Sequence, residues 1–179
     1  MASKSLLADA FAHHVWASLQ VIDACLALEP AQLETTVPGT YGSIIDTIRH
    51  LVGADAYYLF VLSGGERPQI DEDGMDLAQL RAVMADDGPA WSALLARDPD
   101  PDHVVIRHRD DGSESHAPFG IRLAQAIHHG TDHRSQVCTA LTSLGSRHRR
   151  STSGTSVSRT AAPSRPRPAP DADRAPLRR

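Results

Sequence analysis

Four stretches of the chain repeat apolar side chains every three or four residues, the period at which one stripe of an α-helix faces a core. Residues 6–28 place Leu7, Phe11, His14, Val21, Cys25 and Leu28 on such a stripe, and residues 44–62 place Ile44, Ile48, Leu51, Val52, Leu59 and Leu62. A third stretch, about 76–96, has Leu77, Leu80, Met84, Trp91, Leu94 and Leu95; the fourth, about 120–144, has Leu123, Val137, Leu141 and Leu144. The breaks between them have identifiable chemistry. Glu29-Pro30 is predicted to end the first helix, because a residue before proline avoids the α region. Ser43, with Asp46 three positions on, predicts an N-cap for the second helix, and Ser63-Gly64-Gly65 and Gly145 predict C-terminal stops. Gly88-Pro89 predicts a kink or break inside the third helix. Val104-Val105-Ile106 and Ser113–His116 flank Asp110-Asp111-Gly112, the pattern of a short β-hairpin. Residues 64–75 are polar and too long for a tight turn. The pattern as a whole predicts an all-α four-helix bundle, with a long crossover between helices two and three and a small hairpin insert before helix four.

The pattern stops at Gly145. Residues 146–179 are Arg, Ser, Pro, Ala and Thr with almost no large apolar side chain, so burial cannot offset their ordering entropy and disorder is expected. They carry nine Arg against Asp171 and Asp173, a balance of +7. Residues 1–145 then carry nine Lys and Arg against 20 Asp and Glu, a balance of −11. The expected domain is therefore 1–145, acidic and unsuited to phosphate backbones, followed by a basic tail. Text of this kind in an Arg-rich, Lys-poor chain is also what a shifted reading frame produces; the DNA sequence in the other frames tests it. No apolar run approaches the roughly 18 residues of a membrane span. Met1-Ala2-Ser3-Lys4 leads directly into an amphipathic segment without a signal-peptide h-region, so a cytoplasmic location is expected. Cys25 and Cys138, the two cysteines, are expected as thiols inside helices, although a pair of them leaves a disulfide open.

Among ten histidines, only His129 and His133 are four apart. On a helix that spacing puts both rings on one face, about 40° apart, where two nitrogens can meet one ion. Two exposed histidines would satisfy the same spacing, so the context decides: the pair lies beside the apolar arc of helix four, where a pocket between helices would open. His50 sits mid-helix between Ile48 and Leu51, where a lone histidine is more often a partly buried residue bonded to a backbone carbonyl; it supplies a third ligand if helix two packs beside helix four. Three imidazoles leave a coordination position open, the arrangement of catalytic metal sites. His129-Gly130-Thr131-Asp132-His133 has no Glu after its first histidine, which excludes the metalloprotease helix.

Tyr41-Gly42-Ser43-Ile44-Ile45-Asp46-Thr47-Ile48-Arg49-His50-Leu51-Val52-Gly53-Ala54 resembles the second-helix motif of the DinB family. His128-His129-Gly130-Thr131-Asp132-His133-Arg134-Ser135-Gln136 resembles that family's helix-four signature, and Leu141-Thr142-Ser143-Leu144-Gly145 fits its ending. The resemblance covers roughly residues 1–145. It implies a four-helix bundle, often dimeric, and a divalent metal, zinc or nickel, held by His50, His129 and His133. The family includes transferases and isomerases that use low-molecular-weight thiols such as mycothiol or bacillithiol, and many members without known activity. Family members usually continue past the Leu-Gly with an apolar segment, which Ser146–Arg179 replaces here.

Neighbouring residues receive secondary readings. His14 and Gln136 are weak catalytic candidates, His14 as a substrate contact or proton carrier and Gln136 as a group orienting a ligand. Asp46 is read as a cap that can also bond His50, and Arg134 as an interhelix or dimer contact. The leading expectation is a metal-dependent transferase or isomerase acting on a small molecule with a thiol co-substrate. A non-catalytic metal-binding or stress-related protein is the alternative. A third reading makes the basic tail an interaction module.

Overall fold

The computed structural model describes residues 5–108 and 111–145. The readings of Met1–Lys4, of Asp110 in the expected turn and of the tail 146–179 lie outside the described residues. The described chain is mostly helical: α1 (Leu6–Cys25), α2 (Pro30–Leu33), α3 (Ile44–Leu62), α4 (Leu77–Leu95), a hairpin of β1 (Val104–His108) and β2 (Glu114–Pro118), and α5 (Phe119–Ser143).

The helix starts follow local chemistry. Ser5 accepts from the Ala8 amide, and Ser43 accepts from that of Asp46, each satisfying a donor that the first turn leaves without a partner. Asp76 and Gln79 close a reciprocal capping box at 2.9 Å in both directions, which fixes the start of α4. Two expectations need correction. α1 ends at Cys25, not at 28, and Pro30 begins α2 rather than only terminating what precedes it. Proline fits a first helical position because its missing N–H needs no partner there and its φ is already set. α4 also runs through Gly88-Pro89 without a break. Met84 and Trp91, either side of the proline, are fully buried, and their packing outweighs the one lost backbone bond.

α1 packs on α4 and α5, and α3 packs on the same two helices. Phe11, Ile22, Ile48, Val52, Leu80 and Leu141 lie in the shared core, each at most 1 % exposed. The hairpin pairs antiparallel with Ile106 opposite His116, and Gly112 takes the positive φ its turn needs. It is tied to α5 by Arg122, which donates to the Ser115 carbonyl at 2.9 Å. Among the described residues no helix is long and apolar enough to cross a membrane. Cys25 and Cys138 are thiols, the first buried and pushed up to about 12 by desolvation, so it is protonated at neutral pH.

Candidate metal centre

The Ser43 cap starts α3 so that His50 falls two turns in, on the face that meets α5. His129 and His133 project from consecutive turns of α5, with ring centroids 4.4 Å apart. The Nε2 atoms of His50 and His129 are 3.1 Å apart, and one ring nitrogen from each of the three histidines lies within 4.8 Å of the others. Ligands at about 2.0–2.1 Å around a tetrahedral zinc are separated by roughly 3.3 Å, so this spacing suits one ion. His133 is buried; His50 and His129 are partly exposed.

The rings are held in place from behind. Gln136 turns its Oε1 to His133 Nδ1 at 3.2 Å and to the Tyr41 amide at 2.9 Å. That oxygen can only accept, so His133 carries its proton on Nδ1 and leaves Nε2 free as a ligand. The Tyr41 ring lies flat on His50, 4.1 Å between centroids and 6° from parallel. Burial lowers the pKa of His129 to about 4, reinforced by the charges His133 and His50 would carry. Burial and His133 lower His50 in the same way. Both are neutral at pH 7, with lone pairs available to a cation. The donor set therefore fits a divalent ion: three imidazole nitrogens close together, one of them fixed in tautomer. A cavity of about 500 Å³ opens at His50, lined also by Tyr41, Asp46, Arg49, Glu72 and Asp73.

His14 does not join this cluster. It is 1 % exposed, with Nε2 2.7 Å from Asp55 Oδ1 and Nδ1 3.0 Å from Arg134 Nη1. Asp55 also accepts from Trp91 Nε1 at 2.9 Å, and Arg134 donates to Ser18 Oγ at 3.1 Å and Thr131 Oγ1 at 2.9 Å. Arg134 is thus an α5-to-α1 contact. Asp46 accepts from Ser43 Oγ at 2.6 Å and pairs loosely with Arg49, which keeps it at the helix cap. Asp132 faces His128 at the surface. Sequence reasoning missed Asp55, Tyr41 and Glu72. Asp55 left a signal as a carboxylate amid the apolar second half of α3, and Tyr41 as the first residue of the second-helix motif; Glu72 left none.

Asp87 adds a second buried carboxylate. It is fully buried on α4, and Arg67 donates to its Oδ1 at 2.7 Å while Oδ2 has no hydrogen-bond partner. Desolvation and the negative charge of Asp55 outweigh Arg67 and push its pKa up to about 7. The folded state then holds this proton more tightly than the unfolded chain does. Its contribution to stability is greatest at low pH and is lost as pH rises from about 4 to about 7, by at most about 4 kcal/mol. His50 and His129, with lowered pKa values, give the opposite slope. The difference in unfolding free energy between wild type and Asp87→Asn cancels the histidines and should fall between pH 5 and pH 8; a flat difference rules this assignment out.

Compared with known proteins, residues 1–161 match the family model described as the DinB family. No curated protein matches the chain.

Proposed function

The chain belongs to the DinB family, and from that premise we propose that it is a divalent-metal protein whose ligands are His50, His129 and His133. The observation that carries the reading is the convergence of three ring nitrogens within 4.8 Å, contributed by two separate helices. We read the four long helices as a four-helix bundle over residues 1–145, with the segment between α3 and α4 as its crossover and 146–179 as a tail. The bundle provides rigid elements for the ligands, which is what a preorganised site needs.

A zinc or nickel ion at this position would supply a Lewis acid that makes a thiol or water nucleophilic at neutral pH. The chain's own groups do the rest. Gln136 fixes which nitrogen of His133 faces the centre, and Tyr41 restricts rotation of the His50 ring. The cavity of about 500 Å³ beside His50 is roomy enough for a small ligand, and by analogy with the thiol-dependent members of the family we read the protein as a thiol-dependent transferase or isomerase acting on a small molecule. A purely metal-binding role is the second reading. It draws on the commitment of Gln136 and Tyr41 to holding ligands, since neither is left as an obvious proton acceptor. Thiol-dependent turnover of an electrophile separates the two. A homodimer in the cytoplasm completes the proposal.

The test is elemental analysis of protein purified without an affinity tag. About one equivalent of a divalent metal is expected in the unmutated protein and almost none in His50→Ala or His133→Ala. Near-zero metal in the unmutated protein overturns the reading.

A further inference from the structure

Gly53 is buried on α3, three residues after His50 and hence on the adjoining part of the same face. The side chain that covers it is Glu72, from the segment linking α3 to α4. A Cβ at position 53 would fall on the Glu72 carboxylate, so only glycine admits that group against the helix. Two cavities open at His50, one of about 500 Å³ and one of about 270 Å³, and Glu72 lines both. The segment is pinned on either side of it: Arg67 donates to Asp87, and Arg49 Nε donates to the Met75 carbonyl at 3.1 Å. Among the described residues the Glu72 carboxylate forms no hydrogen bond or ion pair, and its charge acts on the His50 ring. The Glu72 side chain is partly buried and lines the cavities beside His50, where a cation held by the histidines would meet its negative charge.

Building on the three-histidine reading, we propose that Glu72 is a positioning residue of the metal centre, an anionic wall that Gly53 seats beside His50 and that balances the charge of the bound ion. Three neutral imidazoles bring no negative charge to a dication; Glu72 supplies it from outside the ligand set. Asp73 lines the same large cavity but does not occupy the Gly53 recess. The effect is therefore specific to position 72.

The probe is cobalt(II) alone, titrated into metal-stripped full-length protein against a chromophoric chelator, with visible ligand-field bands as the spectroscopic signature. Glu72→Gln should weaken binding about tenfold or more and shift the bands, the usual size of an outer-sphere loss. Gly53→Ala, which keeps the charge but evicts the carboxylate, should weaken binding by a similar factor. It should do so without lowering Tm, because alanine suits a helix interior better than glycine. Adding Gly53→Ala to Glu72→Gln should bring no further loss, and Asp73→Asn should change affinity less than threefold. Wild-type affinity and spectrum in Glu72→Gln overturn the assignment, as does an equal loss in Asp73→Asn. If Gly53→Ala does not fold, the Glu72→Gln and Asp73→Asn comparison decides. A wild type that takes up no cobalt overturns this assignment together with the three-histidine reading, whereas normal uptake with no effect at position 72 overturns this assignment alone.

Discussion

Asp55→Ala should destabilise the protein by about 3–5 kcal/mol, the cost of leaving a buried charge without its counterpart. Arg134 has only donors, so the His14 nitrogen facing it, Nδ1, must accept. The His14 proton is then on Nε2, aimed at Asp55 Oδ1. The order across the core is guanidinium, neutral imidazole, carboxylate, with Trp91 Nε1–H on the second carboxylate oxygen. Removing Asp55 strands two buried donors and leaves the Arg134 charge uncompensated. Asp55→Asn is nearly as harmful: its oxygen can still serve Trp91, but its NH₂ meets the Nε2–H of His14. Flipping the His14 tautomer only moves the conflict to Arg134. Ser18→Ala removes one partner of Arg134 and should cost about 1 kcal/mol. Urea unfolding at constant m-value gives the ranking. An Asp55→Asn protein within 1 kcal/mol of wild type would show that this network is not what fixes α1, α3, α4 and α5 together. Where Asp55→Ala leaves no folded material, the other two variants still rank.

That network explains why some of the molecule was readable from the sequence and some was not. The periods of α3 and α5, the Ser43 cap and the turn at Gly112 are local, and each follows from a few neighbouring residues. The ends of α1 and the continuity of α4 are not local. Pro30 has one chemistry that stops a helix and another that starts one, and the packing of Leu28 and Leu33 against the core, which lies elsewhere in the chain, goes with the second. Pro89 stays helical because Met84 and Trp91 are held in a core that the α4 sequence alone does not describe.

The same division runs through the site. Spacing puts His129 and His133 on one face, and Gln136 beside them. The tyrosine that shares the Gln136 oxygen is 95 residues away in sequence. His50 joins the pair only because α3 packs on α5, a pairing that helical periodicity leaves open and that the resemblance supplied. Gly130 shows the limit most plainly. Inside the histidine signature it reads as a helix weakness, yet a Cβ there would overlap the His14 ring, so the glycine is what lets α1 approach α5. Gly53 and Glu72 repeat that logic. A glycine's role in such a helix is set by what occupies its missing side-chain volume, and that neighbour comes from elsewhere in the chain.

Zinc or nickel added to metal-stripped protein should raise Tm by roughly 5–11 °C at a hundredfold excess over Kd. The size follows from mass action: a ligand bound only by the folded state at that excess stabilises by about 2.7 kcal/mol. For a domain of this length each kcal/mol moves Tm by about 2–4 °C. The three proposed ligands come from α3 and α5, so an unfolded chain does not hold them together and the metal favours the folded state. His133→Ala should abolish the shift. It removes the most buried nitrogen of the three and the ring that Gln136 orients, and far-UV circular dichroism of the metal-free variant checks that the helices persist. Gln136→Ala should retain a reduced shift, since the His133 nitrogen is still present but its tautomer is no longer fixed; a tenfold loss of affinity corresponds to about 1.4 kcal/mol. The graded order of wild type, Gln136→Ala and His133→Ala is the decisive observation. Surface histidines binding metal adventitiously would give His133→Ala the same rise as wild type, and that result would remove the three-nitrogen centre from the molecule.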